Sequence, residues 1–392
     1  MNSSGLSAAS PESVYFTQEH DLLRRQIERF VKEEIKPNGL AWEKAGFVPR
    51  SVLRRMGDLG FLGIRWPQSY GGSGLDTLAS VVLAEELGRS TFGGAAITVL
   101  VHTDMASPHL LRAGNQEQLE RWGRRVVDGS AICAIAVTEP GAGSDVAAIR
   151  TTARREGDTY VLNGSKLYIT NGVHANLYFV AAKTDPHAQG AHGISLFAVE
   201  KGTEGFSVSR ALEKHGWLSS DTAEIALSDC RIPAWNLLGQ ENGGFYAIVQ
   251  SFQNERIVMG AQAMGEASAA IELTLEWLRT RTTFGAPLWT KQVIRQKLAM
   301  LAAKVEAGKQ LVRHAAWLDA AHRDCVREVS MVKAFCGELV NDVMQTCLQY
   351  HGALGFMRES TIERMARDAR VHTIGGGATE IMLEEIAKRM GR

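Results

Sequence analysis

The chain has 392 residues, 45% hydrophobic and 22% charged, a composition that fits an ordinary folded protein with two or three domains. Lys plus Arg and Asp plus Glu both number 43, so no global field favours nucleic acid or an anionic membrane, and any phosphate-bearing ligand must be held by local groups. The five cysteines (Cys133, Cys230, Cys325, Cys336, Cys347) form no C-x-x-C pair, which predicts reduced, mostly buried thiols and a cytoplasmic setting.

Residues 1–12 read as a tail, and the polar start lacks the basic head and apolar stretch of a leader peptide. From Thr17 the pattern becomes helical. Leu23, Ile27, Phe30, Val31 and Ile35 recur at three- and four-residue steps, and Pro37 is expected to stop the run. Residues 52–59, 78–87 and 116–128 are further helical patches, with a glycine-rich loop at 70–74. The apolar run at 95–101 is too short to span a membrane, and no run reaches the roughly 18 apolar residues that a span needs.

At about residue 130 the grammar changes. Residues 131–137, 159–162, 177–182, 194–199, 206–209 and 223–227 are short and rich in β-branched and aromatic residues, with Gly, Asp and Asn between them. That spacing predicts an antiparallel sheet or barrel, and the lack of intervening long helices argues against βαβ units. After Gly239 long helical patterns return at 245–279, 292–322, 326–350 and 379–390. The expected fold is α+β in three parts: helices over 1–129, a β domain over 130–239 and a helical bundle over 240–392.

Several chemistries lack their motif. Gly141 and Gly143 are not followed by the third glycine of G-x-G-x-x-G, since Val146 stands there. There is no phosphate-binding G-x-x-x-x-G-K-[ST], no H-E-x-x-H and no G-x-S-x-G. His187 and His192 lie in a Gly/Ala/Gln loop and read as solvated, so no metal site is expected. Two stretches remain: Val137-Thr138-Glu139-Pro140-Gly141-Ala142-Gly143-Ser144-Asp145 and Asn163-Gly164-Ser165-Lys166-Leu167-Tyr168-Ile169-Thr170-Asn171-Gly172. Each is a strand-like run ending in a loop dense in hydroxyls and backbone N–H groups, suited to close approach by a planar, phosphate-bearing ligand.

In this order the two stretches resemble the flavin-cradling segments of the acyl-CoA dehydrogenase family, and the resemblance runs nearly end to end. It implies FAD as cofactor, an acyl-CoA substrate, an electron-transfer flavoprotein as acceptor, a four-helix C-terminal bundle and a tetramer built as a dimer of dimers. It assigns Val137, Thr138, Gly143 and Ser144 to the flavin, and Ser144 also to the CoA chain. Tyr168-Ile169-Thr170 is similar to the family's aromatic-Ile-Thr/Ser step, with the aromatic against the flavin ring and the hydroxyl near N5; many members carry Trp where Tyr168 stands. Arg281-Thr-Thr-Phe284-Gly285 resembles R-x-x-F-G, which in the family reaches the cofactor of a neighbouring subunit. Gln292 stands at another implied contact. The run from Gln349 through Gly352 to Ala353 resembles Q-x-x-G-G, with Ala353 replacing the second glycine. Thr379 and Glu380 complete the implied cofactor set. Singly, Tyr168 reads as a half-buried strand aromatic, Arg281 as a helix C-terminal cation and Gln349 as a solvated helix end; their order favours FAD.

The implied reaction is α,β-dehydrogenation of the thioester, with the α-proton passing to a carboxylate and the β-hydride to flavin N5. Many members place that carboxylate in a Y-E-G-T segment before the last helix. Here Gly375-Gly376-Gly377-Ala378-Thr379 stands there, and Gly376 occupies the slot of the base. Gly376 keeps only its N–H, a donor for the enolate oxygen. Long-chain and isovaleryl members carry the base on an earlier helix, where this chain has Phe252-Gln253-Asn254-Glu255-Arg256. Glu255 is therefore the expected base, with Phe252, Gln253, Arg256 and Gly375 near the substrate. Alone, Glu255 and Arg256 read as a solvated helix pair, and Glu380 is a competing acid about a turn beyond the vacated slot. The three glycines predict room for branched or bulky acyl groups. Two other readings rest on the same residues: an oxidase or flavin monooxygenase of the same fold, or a non-catalytic CoA-binding or assembly protein.

Overall fold

The computed structural model describes residues 14–188 and 190–391; the expected tail lies outside them. Thr17 opens α1 (Gln18–Phe30), its N–H donating to His20 Nδ1 at 3.1 Å. The helix does not stop at Pro37. Wide i→i+5 turns at Val31–Ile35 carry it into α2 (Lys36–Ala45), and the Lys36 N–H bonds to Val31 O. The winding has already loosened when the proline arrives, so its ring meets no tight i−4 carbonyl. After α3 (Arg50–Asp58) and α4 (Thr77–Gly88), the same device recurs. Helix α5 (Gly93–Leu100) passes through wide turns at Val101–Ala106 into α6 (Ser107–Ala113), with Pro108 near its start and the Ser107 N–H on His102 O. The apolar run at 95–101 sits inside this stretch, and every residue from 92 to 110 is buried. Asn115 and Gln118 exchange two 2.9 Å hydrogen bonds to cap α7 (Gln116–Val127), an arrangement worth about 1 kcal/mol.

Eight strands follow: β1 (Cys133–Ala136), β2 (Thr152–Glu156), β3 (Thr159–Thr170), β4 (Leu177–Lys183), β5 (Ile194–Glu200), β6 (Phe206–Ala211), β7 (Thr222–Pro233) and β8 (Leu237–Leu238). They form one sheet in the order β6-β7-β3-β2-β4-β5-β8, with β1 on β4. The sheet is mixed and not wholly antiparallel. β1 runs parallel to β4 (Cys133 opposite Leu177), because the chain crosses over through the 137–151 loop and the β2–β3 hairpin before returning. β2 escapes detection by pattern because Thr-Ala-Arg-Arg-Glu buries only Ala153 fully. β3 runs on through the second motif as far as Thr170, so the strand-like part extends further than expected and the loop is shorter; register shifts at 162/164 and 166/169 mark where it bulges. β4 is buried and apolar from Leu177 to Ala182 because it serves two cores. Leu177, Phe179 and Ala181 join the helical core, while Tyr178, Val180 and Ala182 join the core on the other face.

The C-terminal part comprises α8 (Gly244–Thr280), α9 (Gln292–Ala320), α10 (Val326–His351), α11 (Thr361–Ala369) and α12 (Thr379–Met390). A small hairpin, β9 (Thr282–Thr283) with β10 (Ala286–Pro287), links α8 to α9. Helices α4 and α8 cross almost in backbone contact: a Cβ on Gly265 would stand 2.1 Å from Glu85 O, and one on Gly88 2.3 Å from Gln262 O. The architecture is the expected α+β one of helices, sheet and helices. Among the described residues no helix is long and apolar enough to cross a membrane.

Candidate active site

The two motifs are bolted together by a buried ion pair. Lys166 Nζ lies 2.7 Å from Glu139 Oε1 and also donates to Val137 O at 3.1 Å. The Glu139 carboxylate takes two more hydrogen bonds, from the Arg150 N–H (2.6 Å) and the Thr151 N–H (3.0 Å). Thr138 O accepts from the Leu167 N–H at 2.9 Å. Burial pushes Lys166 down to about 8. Burial also opposes ionisation of Glu139, but the ammonium and the backbone donors outweigh it and hold the acid below its ordinary value. The loop above this bolt is open. A Cβ on Gly141 or Gly143 would meet nothing within 4 Å, and Gly143 and Ser144 are exposed. The chain itself does not need these glycines for space.

Tyr168 sits at the second bulge with φ 62°, a strained value for a side-chain-bearing residue. The bulge turns its ring outward to 66% exposure while Ile169 is buried at 2%. Tyr168 is thus not the half-buried strand aromatic of the simpler reading. The segment before β7 carries Trp217, with φ 52° and a buried indole N–H that has no acceptor among the described residues.

The helical side of the site is built around Gly376. Its φ of 69° is a glycine conformation. A Cβ there would stand 2.9 Å from Glu255 Oε1 and 2.5 Å from Met259 Sδ. The Glu255 carboxylate therefore reaches the space that a side chain at 376 would enter. Glu255 is partly buried, and it is no solvated helix partner of Arg256. Burial raises its pKa, against the opposing pull of the Arg256 and Lys333 cations. Arg256 Nε donates to Gly376 O at 3.4 Å, and its guanidinium lies 5.3 Å from the centre of the Phe252 ring. The Gly376 N–H has no acceptor among the described residues. The room expected from the three glycines is not empty: Glu255 and Met259 crowd position 376, Met382 Cε lies 2.9 Å from a Cβ on Gly377, and only Gly375 has slack, 3.5 Å from Val371 Cγ2. Gln253 lies two positions from Glu255, on a different face of α8, where Cys325 Sγ donates to it at 3.6 Å.

A short chain of contacts joins the two sides. The Trp217 ring packs edge-on against His372 at 5.8 Å, and His372 O accepts from Lys333 Nζ. Asp368, which burial raises to about 7, accepts from the Trp217 N–H (2.5 Å) and the Gly93 N–H (3.0 Å), tying all three parts together. Residue-type motifs gave no notice of Lys333, Trp217 or Asp368. Lys333 had one signal: a lone charge in the apolar run Met331-Val332-Lys333-Ala334-Phe335-Cys336.

The remaining expected cofactor residues are elsewhere. Arg281 lies against Trp277 at the far end of α8, roughly 39 Å from Glu255 at a rise of about 1.5 Å per residue. Phe284 (φ 49°) and Gly285 (φ 78°) form the tip of the β9–β10 hairpin, and Phe284 is 99% exposed. Gln292, Gln349 and Gly352 are exposed at the neighbouring ends of α9 and α10. Thr379 donates to Glu338 Oε1 at 3.1 Å, and Glu380 is exposed on the first turn of α12.

Three family profiles cover this architecture: the acyl-CoA dehydrogenase N-terminal domain over residues 17–130, the middle domain over 134–230 and the C-terminal domain over 242–391. The chain belongs to the acyl-CoA dehydrogenase family. It is 39% identical over 376 residues to the long-chain specific acyl-CoA dehydrogenase, mitochondrial, of Mus musculus, covering 96% of this chain and 87% of that protein. A crystal structure of acyl-CoA dehydrogenase from Geobacillus kaustophilus superposes with a TM-score of 0.93 at 39% identity, over 97% of this chain and all of that one. The acryloyl-CoA reductase (NADH) of Anaerotignum propionicum is 36% identical over 376 residues, 95% of each chain. Membership makes the protein a flavin-dependent oxidoreductase of the acyl-CoA dehydrogenase type, with FAD as cofactor. The open glycine loop and the outward Tyr168 ring fit such a planar group.

Proposed function

We propose that the protein oxidises an acyl-CoA thioester to its 2-enoyl-CoA, with Glu255 as the base. The carrying observation is that Glu255 Oε1 lies 2.9 Å from where a Cβ on Gly376 would be. A carboxylate from α8 enters the place that a base on residue 376 leaves open. Bound FAD would supply the hydride acceptor for the β-carbon. The chain's residues do the rest: ionised Glu255 takes the α-proton, and the Gly376 N–H is free to donate to the developing enolate oxygen. Burial of Glu255 strengthens it as a base once ionised. Arg256, over Phe252 and bonded to Gly376 O, holds the turn that presents this donor.

The same groups serve the reverse reaction, with Glu255 delivering the proton; that direction is the one in the name of the Anaerotignum relative. The family resemblance supports an electron-transfer flavoprotein as acceptor. The exposed Phe284 hairpin and the distance of Arg281 from Glu255 support an oligomer in which one subunit completes another's cofactor site. The test is anaerobic mixing of the flavin-loaded protein with straight and branched acyl-CoA thioesters. Bleaching of the flavin absorbance by at least one of them is expected; no bleaching by any thioester overturns the proposal.

A further inference from the structure

Lys333 stands on α10 with 2% of its surface exposed. Its ammonium donates to His372 O and, at 3.1 Å, to Gly377 O. Those two carbonyls flank the Ile374–Gly376 turn. Lys333 Cε is 3.6 Å from the Cβ position of Gly376, so the lysine stem runs alongside Glu255 and Met259. Two hydrogen bonds from the ammonium hold the turn; among the described residues it makes no ion pair with Glu255 within 4 Å, and its charge acts on that carboxylate through space.

We infer that Lys333 is a positioning residue for this reaction: it clamps the triple-glycine turn that carries the Gly376 N–H and, beside Arg256, supplies a second cation that favours ionised Glu255 inside the cleft. The inference rests on Glu255 being the base. A three-glycine turn has more backbone freedom than any other three-residue segment. An N–H donor on such a turn needs an external anchor, and Lys333 provides one at each end. A buried carboxylate with no opposing charge stays protonated and cannot serve as a base. Three other charges bear on the pair. Arg256 acts on Glu255 from α8, Glu385 on Arg256 from α12, and Glu338 on Lys333 from its own helix. Burial brings Lys333 down to about 8, with Glu255 opposing, so the cation persists through the neutral range.

The experiment compares the flavin-loaded wild type with Lys333→Gln, which keeps an N–H donor without the charge, Lys333→Met, which keeps neither, and Lys333→Arg, which keeps the charge. Flavin content and thermal melting are recorded for each. The rate of anaerobic flavin bleaching by a saturating acyl-CoA is followed from pH 5 to 9, with Glu255→Gln alongside. In Gln and Met variants that retain flavin, the acidic limb is expected to move up by about one pH unit. The rate at neutral pH falls at least tenfold, more in Met than in Gln, and Arg restores the limb. A lost rate with an unmoved limb in both Gln and Met, or loss of flavin alone, makes Lys333 merely structural and overturns the inference. Bleaching that survives Glu255→Gln overturns the assignment of the base instead, whatever the lysine variants do.

Discussion

Glu255 Oε1 and the backbone of Gly376 share one space: the oxygen lies 2.9 Å from the point where a β-carbon on residue 376 would stand. The two positions are far apart in sequence, on α8 and on the turn before α12, yet only one of them can carry a side chain there. Gly376→Ala is therefore costly. The methyl meets Met259 Sδ at 2.5 Å as well as the carboxylate, and φ 69° costs an L-residue about 1–2 kcal/mol. We expect a melting temperature several degrees lower and at least a tenfold loss of bleaching rate, with flavin content close to wild type because residues 137–145 are untouched. Absorbance spectra, melting and stopped-flow bleaching check this.

The ion pair between Lys166 and Glu139 holds the two motifs side by side. Lys166→Met leaves a buried carboxylate without its cation, a change that typically costs about 3–5 kcal/mol. Purified Lys166→Met protein is expected to be colourless or weakly yellow and to melt well below wild type. A variant that keeps full flavin and stability would show that the pair does not set the loop.

Phe284 offers a test of assembly. Its ring is 99% exposed on the hairpin tip, so Phe284→Asp disturbs nothing within one chain. If the hairpin completes a neighbouring subunit's site, light scattering should show a lower mass for the variant, and flavin should be lost on dilution. Unchanged mass and flavin content would argue against exchange of this segment.

The parts of the molecule that pattern alone predicted are those in which local chemistry and global fold agree. The long helices α8, α9, α10 and α12 fall where apolar spacing puts them, and the two motifs sit together as their order implied. The failures have physical causes. Pro37 did not end its helix because the turns before it widen, which no residue type announces. Charged β2 was missed because its stability comes from its neighbours β3 and β4 and not from its own side chains. The space expected at the triple glycine is taken by Met259, Met382 and Glu255, two of which come from a helix more than a hundred residues earlier. For Lys333 the sequence offers only a lone charge in an apolar run; its role depends on the His372 and Gly377 carbonyls, which come from a turn about forty residues later.

The decisive experiment is Glu255→Gln, which keeps the shape and loses the proton acceptor. Flavin-loaded Glu255→Gln is mixed without oxygen with the acyl-CoA that bleaches wild type fastest. The expected result is full flavin content and a bleaching rate at least a thousandfold slower, the scale of a lost general base (about 10²–10⁴). Bleaching at a rate near wild type would show that another group takes the α-proton.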